Sequence, residues 1–253
     1  MKIAVLGSTG SIGNSTLEVI RHNKQDFSVH LLTAKKNHQL LLEQCKEFNP
    51  EFVYLEDEKA RKSFEDYILE KKLQTNVIQS LKELEEVIGS NGIDAVVAGM
   101  VGIAGLIPVH FAIQKGKKVL LANKESYVVA GEYLNNLCKE TGASIFPIDS
   151  EHSAIQQCLN NATNISDVSR IILTGSGGPF LNKDVEEFSS ITPDQATNHP
   201  VWNMGRKISV DSSTLMNKGL EVVEARWLFD IENIEILIHP EGIIHSLVEF
   251  RDN

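Results

Sequence analysis

The sequence is poor in several things, and each shortage narrows what the protein can be. Only three of its 253 residues are cysteines (Cys45, Cys138 and Cys158), an odd number with no C-x-x-C spacing. That argues against a disulfide framework and fits reduced thiols in a cytoplasmic protein. Positive charge is scarce: 24 Lys and Arg stand against 34 Asp and Glu, for a net charge of −10. An acidic surface of this kind is unsuited to nucleic acid as a general partner. No signal peptide is expected, because the one early apolar run is the short stretch before Gly7. A single long stretch, Ala95 to Gln114, lacks Asp, Glu, Lys and Arg over a length that could span a bilayer. Gly99, Gly102, Gly105, Pro108 and His110 punctuate it, so it reads as a buried strand–helix pair, and no membrane contact is expected.

What is present begins at the first residues. KIAVLGSTGSIGNSTLEVI runs an apolar strand into Gly7, Gly10 and Gly13 and then into a helix. A dinucleotide site needs that order. The first glycine turns off the strand, the second admits a pyrophosphate close to the backbone, and the third lets helix and strand pack closely. Free N–H groups of the first helical turn then face the phosphates. A tight turn with glycines kept for packing alone is the alternative. The second strand ends at Ala34 and is followed by Lys35, Lys36 and Asn37, with no carboxylate for the ribose hydroxyls of NAD. Two cations suit a 2′-phosphate and favour NADP; a solvated basic turn is the bland reading.

Apolar strand candidates recur near Ile3–Leu6, Ser28–Leu32, Phe52–Leu55, Ile93–Ala98, Val119–Leu121 and Ile145–Pro147. Between them lie polar-faced helices such as SLKELEEVIG, where Ser80 and Glu83 form a capping box. Alternation of this kind predicts an α/β fold: a Rossmann-like parallel sheet with helices on both faces over residues 1–148. From Asp149 short polar and glycine-rich motifs take over, and residues 149–253 read as a second, α+β catalytic domain. A final strand is expected over Ile243–Glu249, followed by a turn at Arg251-Asp252-Asn253.

Two constellations in the second half carry chemistry. In PIDSEHSA, Asp149 and Glu151 lie two apart, and in extended backbone both carboxylates would share a face and could meet one cation. A hydrated surface pair is the commoner outcome of D-x-E. In MNKGLEVVEARWLF, Asn217, Lys218 and Glu221 fall on one helical stripe, which is also the pattern of an ordinary surface Lys–Glu pair. If that helix faces Asp149 and Glu151, three carboxylates gather, a set suited to Mg²⁺ or Mn²⁺ rather than Zn²⁺. Between these motifs, Ser176 among glycines offers an anion nest, to which Ser212, Asn217 and Lys218 add donors. The stretch from His199 to Gly205 puts Trp202 and Met204 on a loop of turn formers, either as a lid or as plain core.

GSTGSIG, LLANKES, PIDSEH, LTGSGGPF, HPVWNMGRKISVDS and MNKGLE, in this order and spacing, resemble the 1-deoxy-D-xylulose 5-phosphate reductoisomerases of the non-mevalonate isoprenoid pathway. The resemblance covers essentially the whole chain. It implies an NADP-dependent oxidoreductase that uses NADPH and a divalent metal, Mg²⁺ or Mn²⁺ with Co²⁺ as a further option, to make 2-C-methyl-D-erythritol 4-phosphate. Carried over, Thr9, Gly10, Ser11, Ile12, Lys36, Asn37, Asn123, Glu125 and Gly205 would contact NADPH. Asp149, Glu151 and Glu221 would hold the metal and, with Lys124, make up the catalytic set. Lys124, Ser150, Glu151, Ser176, His199, Ser212, Asn217 and Lys218 would contact the sugar phosphate. The loop at Trp202 resembles the family's mobile flap, and the resemblance also implies a cytoplasmic homodimer.

Three departures stand out. Lys35 replaces a usual glycine, and Glu241-Gly242 replaces the usual Gln-Ser. Family members also continue well beyond this point through a C-terminal helical domain, so the chain is expected to be part of a longer protein. Two rival readings share the first half: another NADP-dependent dehydrogenase without the carboxylate triad, and a cofactor sensor without turnover.

Overall fold

The computed structural model describes residues 1–160, 164–202 and 204–252. Asn203, inside the segment read above as a lid, and Asn253, in the terminal turn, lie outside the described residues. The chain divides into two compact units, Met1–Phe146 and Pro147–Asn253.

The first unit alternates strand and helix: β1 (Lys2–Leu6), α1 (Ser11–His22), β2 (Ser28–Ala34), α2 (His38–Phe48), β3 (Phe52–Leu55), α3 (Glu58–Lys71), β4 (Asn76–Ile78), α4 (Leu81–Gly89), β5 (Ala95–Ala98), α5 (Leu106–Gln114), β6 (Lys118–Leu121), α6 (Lys124–Thr141) and β7 (Ser144–Pro147). The seven strands are ordered β4-β3-β2-β1-β5-β6-β7. β1 pairs in parallel with both β2 and β5, so the strand order reverses direction beside it. In doubly wound sheets a ligand sits at that reversal, beyond the strands' carboxyl ends. The central strands are buried almost throughout, as a sheet covered on both faces requires. The uncharged stretch from Ala95 resolves into β5, a short 3₁₀ turn at Gly102–Gly105, and α5. No helix among the described residues is long and apolar enough to cross a membrane.

The second unit is built on three strands: β8 (Val168–Gly175) lies between β10 (Ser246–Phe250), antiparallel to it, and β9 (Ile234–Ile238), parallel to it. Its helices are α7 (Ser150–Leu159), the short α8 (Pro193–Thr197), α9 (Arg206–Ser213) and α10 (Met216–Phe229). Ile171 and Leu173, two apart on β8, share a sheet face and form one core with Ile155 of α7 and Ala225 and Phe229 of α10. Both helices therefore cover the same face, which brings the amino-terminal end of α7 beside α10. Strand β10 begins at Ser246, later than the expected Ile243, because Gly242 adopts φ +63° and Thr174 Oγ1 bonds the Ile244 carbonyl instead of a ladder partner.

Candidate active site

In the first unit the loop between β1 and α1 stands at the strand-order reversal. Gly7 has φ +79°, the left-handed region that side chains rarely enter, and a Cβ there would lie 3.0 Å from the Gly99 carbonyl oxygen beyond β5. A Cβ on Gly13 would come within 2.4 Å of the Gly7 carbonyl oxygen, so only glycine lets α1 fold back this closely. Thr9, Gly10, Ser11 and Ile12 follow, with Gly10 at the helix cap and no side chain bonding the first helical N–H groups. Those N–H groups and the positive end of the helix dipole suit an anion.

The turn after β2 is less purely basic than its sequence suggests. Asn37 caps α2, its Oδ1 accepting from the Leu40 N–H at 3.1 Å. Lys35 lies 4.0 Å from Glu56, and Asp57 N–H donates to the Lys35 carbonyl at 2.9 Å. The Asp57 carboxyl, which caps α3, is held below its ordinary pKa by the Ala60 N–H first, with Lys36 among the other contributors. Carboxylates therefore do reach this turn, carried by β3 rather than β2. Among the other expected cofactor contacts, Asn123 is buried, with Nδ2 2.9 Å from the carbonyls of both Met100 and Gly102 and 3.1 Å from Glu125. Its side chain is thus committed to shaping the segment after β5. Lys124 is buried at the start of α6.

In the second unit Asp149, Glu151 and Glu221 each offer a carboxylate oxygen within 4.8 Å of the others. The local reason differs from the expectation. Asp149 is extended but Glu151 is already helical: the two belong to the cap and first turn of α7, with Asp149 accepting from the Ser150 N–H at 3.1 Å. The helix start, rather than strand alternation, brings them together. Lys218 Nζ stands among the carboxylates, 3.0 Å from Glu151 and 2.5 Å from Glu221, and Asn217 Nδ2 lies 2.5 Å from the other Glu221 oxygen. Lys218 and Glu221 are both buried. Buried carboxylates repel one another unless a cation neutralises them, and here the lysine ammonium occupies that role.

Behind this cluster lies a pair that the sequence reading did not single out. His152, wholly buried, has Nδ1 3.2 Å from Glu224 and 3.7 Å from Asp149, while Nε2 is 3.0 Å from the Glu221 backbone carbonyl. Burial disfavours the imidazolium, but the nearby carboxylates of Asp149, Glu224 and Glu221 outweigh it and push the pKa up to about 9. Through Nε2 His152 ties α7 to the Glu221 turn of α10, while Nδ1 faces the carboxylates of Glu224 and Asp149. Its signal was available: Glu221 and Glu224 are i, i+3, so a second carboxylate had to follow the first along the same buried stripe.

The candidate anion pocket is assembled on the loop after β8. A Cβ on Gly175 would meet Lys218 Cε at 2.8 Å, and one on Gly178 would meet the Ser212 carbonyl oxygen at 2.6 Å. Ser176 Oγ lies 3.0 Å from His199 Nε2. Three separate segments thus converge on residues 175–178. Leu215, in the left-handed region at φ 59°, makes the turn between α9 and α10, its N–H donating to the Ser212 carbonyl at 3.2 Å. His199 Nδ1 accepts from the backbone N–H groups of Val201 (3.2 Å) and Trp202 (3.0 Å), so the ring's proton sits on Nε2, toward Ser176. Burial lowers its pKa and favours that neutral form. Trp202 is 43% exposed, which rules out core packing for it; its ring is 5.9 Å from that of His245 and it rests near Gly242. Gly205, exposed, caps α9.

Two family models match the chain: 1-deoxy-D-xylulose 5-phosphate reductoisomerase over residues 3–131 and the C-terminal domain of that enzyme over 145–229. The chain belongs to the 1-deoxy-D-xylulose 5-phosphate reductoisomerase family. It is 49% identical over 254 residues to the reductoisomerase of Clostridium perfringens strain 13, covering 99% of this chain and 66% of that protein. With the enzyme of Actinobacillus pleuropneumoniae serotype 3 it shares 48% identity at the same coverage. A crystal structure of a reductoisomerase in complex with NADPH, fosmidomycin and magnesium superposes with a TM-score of 0.95 at 40% identity, over 100% of this chain and 64% of that one. The Zymomonas mobilis enzyme in complex with NADPH gives 0.89 at 41% identity, over 99% and 64%. The chain therefore spans about two thirds of the length of its reductoisomerase relatives.

Proposed function

We propose that this chain carries the cofactor and catalytic parts of an enzyme that isomerises and reduces 1-deoxy-D-xylulose 5-phosphate to 2-C-methyl-D-erythritol 4-phosphate with NADPH and a divalent metal. The observation that carries this reading is the gathering of Asp149, Glu151 and Glu221, with the Lys218 ammonium on the latter two, beside donors collected on residues 175–178. A packed core gains nothing from assembling three carboxylates; a cation site needs them. The donor set is three carboxylates with no thiolate, all oxygen, so it fits Mg²⁺ or Mn²⁺ once Lys218 gives way. When bound there, the metal would polarise the substrate carbonyl as a Lewis acid.

Lys218 would then exchange the carboxylates for a substrate phosphate, joined by Ser176, Ser212 and Asn217 as donors. His199, a neutral Nε2–H donor, would reach the same anion through or beside Ser176. Ser150 and Lys124 would orient the sugar hydroxyls. Thr9, Gly10, Ser11 and Ile12 would hold the pyrophosphate of NADPH, with Lys36 and Asn37 at its 2′-phosphate and Asn123, Glu125 and Gly205 as further cofactor contacts. NADPH supplies the hydride; the protein supplies alignment and exclusion of water, the latter through the loop bearing Trp202. Three free cysteines agree with a reducing cytoplasm. The homodimer rests on family resemblance alone, and light scattering of the intact protein tests it.

The deciding experiment is NADPH oxidation with 1-deoxy-D-xylulose 5-phosphate, with and without Mg²⁺ or Mn²⁺. Metal-dependent turnover is expected. Turnover that survives a chelator would point to a different dehydrogenase, and NADPH binding with no turnover on any metal would point to a sensor.

A further inference from the structure

Gln44 occupies a place that polar side chains ordinarily avoid. It is buried in the middle of α2, on the face that also buries Leu41, Leu42 and Cys45. A buried amide is tolerated when its hydrogen bonds are made, and Gln44 makes all of its own toward the loop between β1 and α1. Ser8 Oγ donates to Gln44 Oε1 at 2.8 Å. Gln44 Nε2 donates back to the Ser8 carbonyl at 3.0 Å and to Asn14 Oδ1 at 3.1 Å. Asn14 lies on the first turn of α1, and its Nδ2 is 3.5 Å from the Thr9 carbonyl. Ser8 itself is wholly buried. From the other side Thr33 of β2 holds the same loop: its Oγ1 accepts from the Gly7 N–H at 2.9 Å and its carbonyl from the Ser8 N–H at 2.8 Å.

Glycines give this loop the freedom to turn, and the same freedom makes it costly to order. If the loop were held only by a bound pyrophosphate, that ordering would subtract from affinity. We propose that Gln44 is a positioning residue for the dinucleotide, locking Ser8 and Asn14 from α2 so that the N–H groups of residues 9–12 stand ready before the cofactor arrives. The inference rests on the reading of this loop as the NADPH site. Gln44 touches no part of the cofactor in this scheme; it acts through Ser8 and Asn14. Because it acts on the loop beneath the pyrophosphate, which NADPH and NADH share, its loss must weaken both alike.

The test is the dissociation constant of NADPH and of NADH for the intact protein, wild type, Gln44→Met and Ser8→Ala, with thermal stability measured beside it. Gln44→Met keeps the side-chain length and leaves the Ser8 hydroxyl and carbonyl unmatched; Ser8→Ala removes one of the same bonds from the loop side and serves if the first variant does not fold. Both constants are expected to rise together, about tenfold for Gln44→Met and less for Ser8→Ala, with their ratio unchanged. A folded variant that melts earlier yet binds both cofactors as wild type would make Gln44 structural only and overturn the proposal. Loss confined to NADPH would overturn it too, by placing the effect at the 2′-phosphate. A wild type that binds neither cofactor would remove the reading of the loop itself, whereas tight wild-type binding with unaltered variants would remove only this inference.

Discussion

The two units place polar and charged side chains in opposite ways at their proposed binding sites. The first keeps charge out of its interior loop: Ser8, Gln44 and Asn14 are neutral, and the anion would meet backbone N–H groups and a helix dipole. The second buries charge deliberately. Lys218, Glu221, Glu224 and His152 are each nearly or wholly inaccessible to water, and they are stacked along α10 and the start of α7. Neutral donors on a glycine loop cost little when empty and recognise a shape that many nucleotides share. Buried carboxylates are expensive when unneutralised, and here Lys218 and His152 stand against them. The lesson is that the second unit should be the fragile, selective half and the first the sturdy, general one.

The largest effect should come from the buried charge. Glu221→Gln removes one of the three proposed metal donors and is expected to cut turnover by about a thousandfold or more, the scale of several kcal/mol of charge stabilisation, while NADPH affinity stays near wild type. Isothermal titration with NADPH and with Mn²⁺ separates the two; loss of NADPH binding in this variant would break the division of labour between the units.

Next is the pH dependence of stability in metal-free protein. His152 is raised to about 9 from an ordinary value of 6.5, so its protonation stabilises the fold fully below about pH 6.5, and that contribution is lost as pH climbs through about 9. The contribution is on the order of 3 kcal/mol. Denaturant unfolding of wild type and His152→Gln at pH 6 and pH 9.5 should show the wild type losing much more stability than the variant. Parallel losses would mean that the pair with Glu224 does not carry the proton.

The anion pocket gives a smaller effect. Lys218→Ala should weaken a phosphonate bearing a metal-chelating hydroxamate by roughly thirtyfold in the presence of Mg²⁺, from the loss of one charge-assisted hydrogen bond. Equal binding by the two proteins would confine Lys218 to its carboxylate partners. The smallest change belongs to the first unit. Lys36→Ala should raise the dissociation constant for NADPH by about fivefold and leave NADH unchanged, the yield of one exposed charge contact. Comparable losses for both cofactors would sink the 2′-phosphate assignment and blur the contrast with Gln44.

Much of this was legible from residues alone. The strand–glycine–helix order depends, at Gly7 and Gly13, on close backbone geometry that only glycine allows, so the letters carry it directly. The stripe of Asn217, Lys218 and Glu221 follows from helical periodicity and needs no tertiary information. Lys35 and Lys36 read as a purely basic turn, whereas the acidic neighbours Glu56 and Asp57 arrive from β3, a strand pairing that local sequence does not announce.

What the chain's residues determined by themselves, then, were the elements, the alternation that makes a parallel sheet, and the spacing of donors along each element. Whether Asp149 and Glu151 meet Glu221, whether Gln44 is spent on Ser8, and which carboxylates face His152 were decided only by packing. The reason is physical. Periodicity is a property of one segment, whereas a hydrogen bond or a shifted pKa belongs to a pair of groups, and the second member here lies 36 residues away for Ser8 and Gln44 and 69 for His152 and the Glu221 carbonyl.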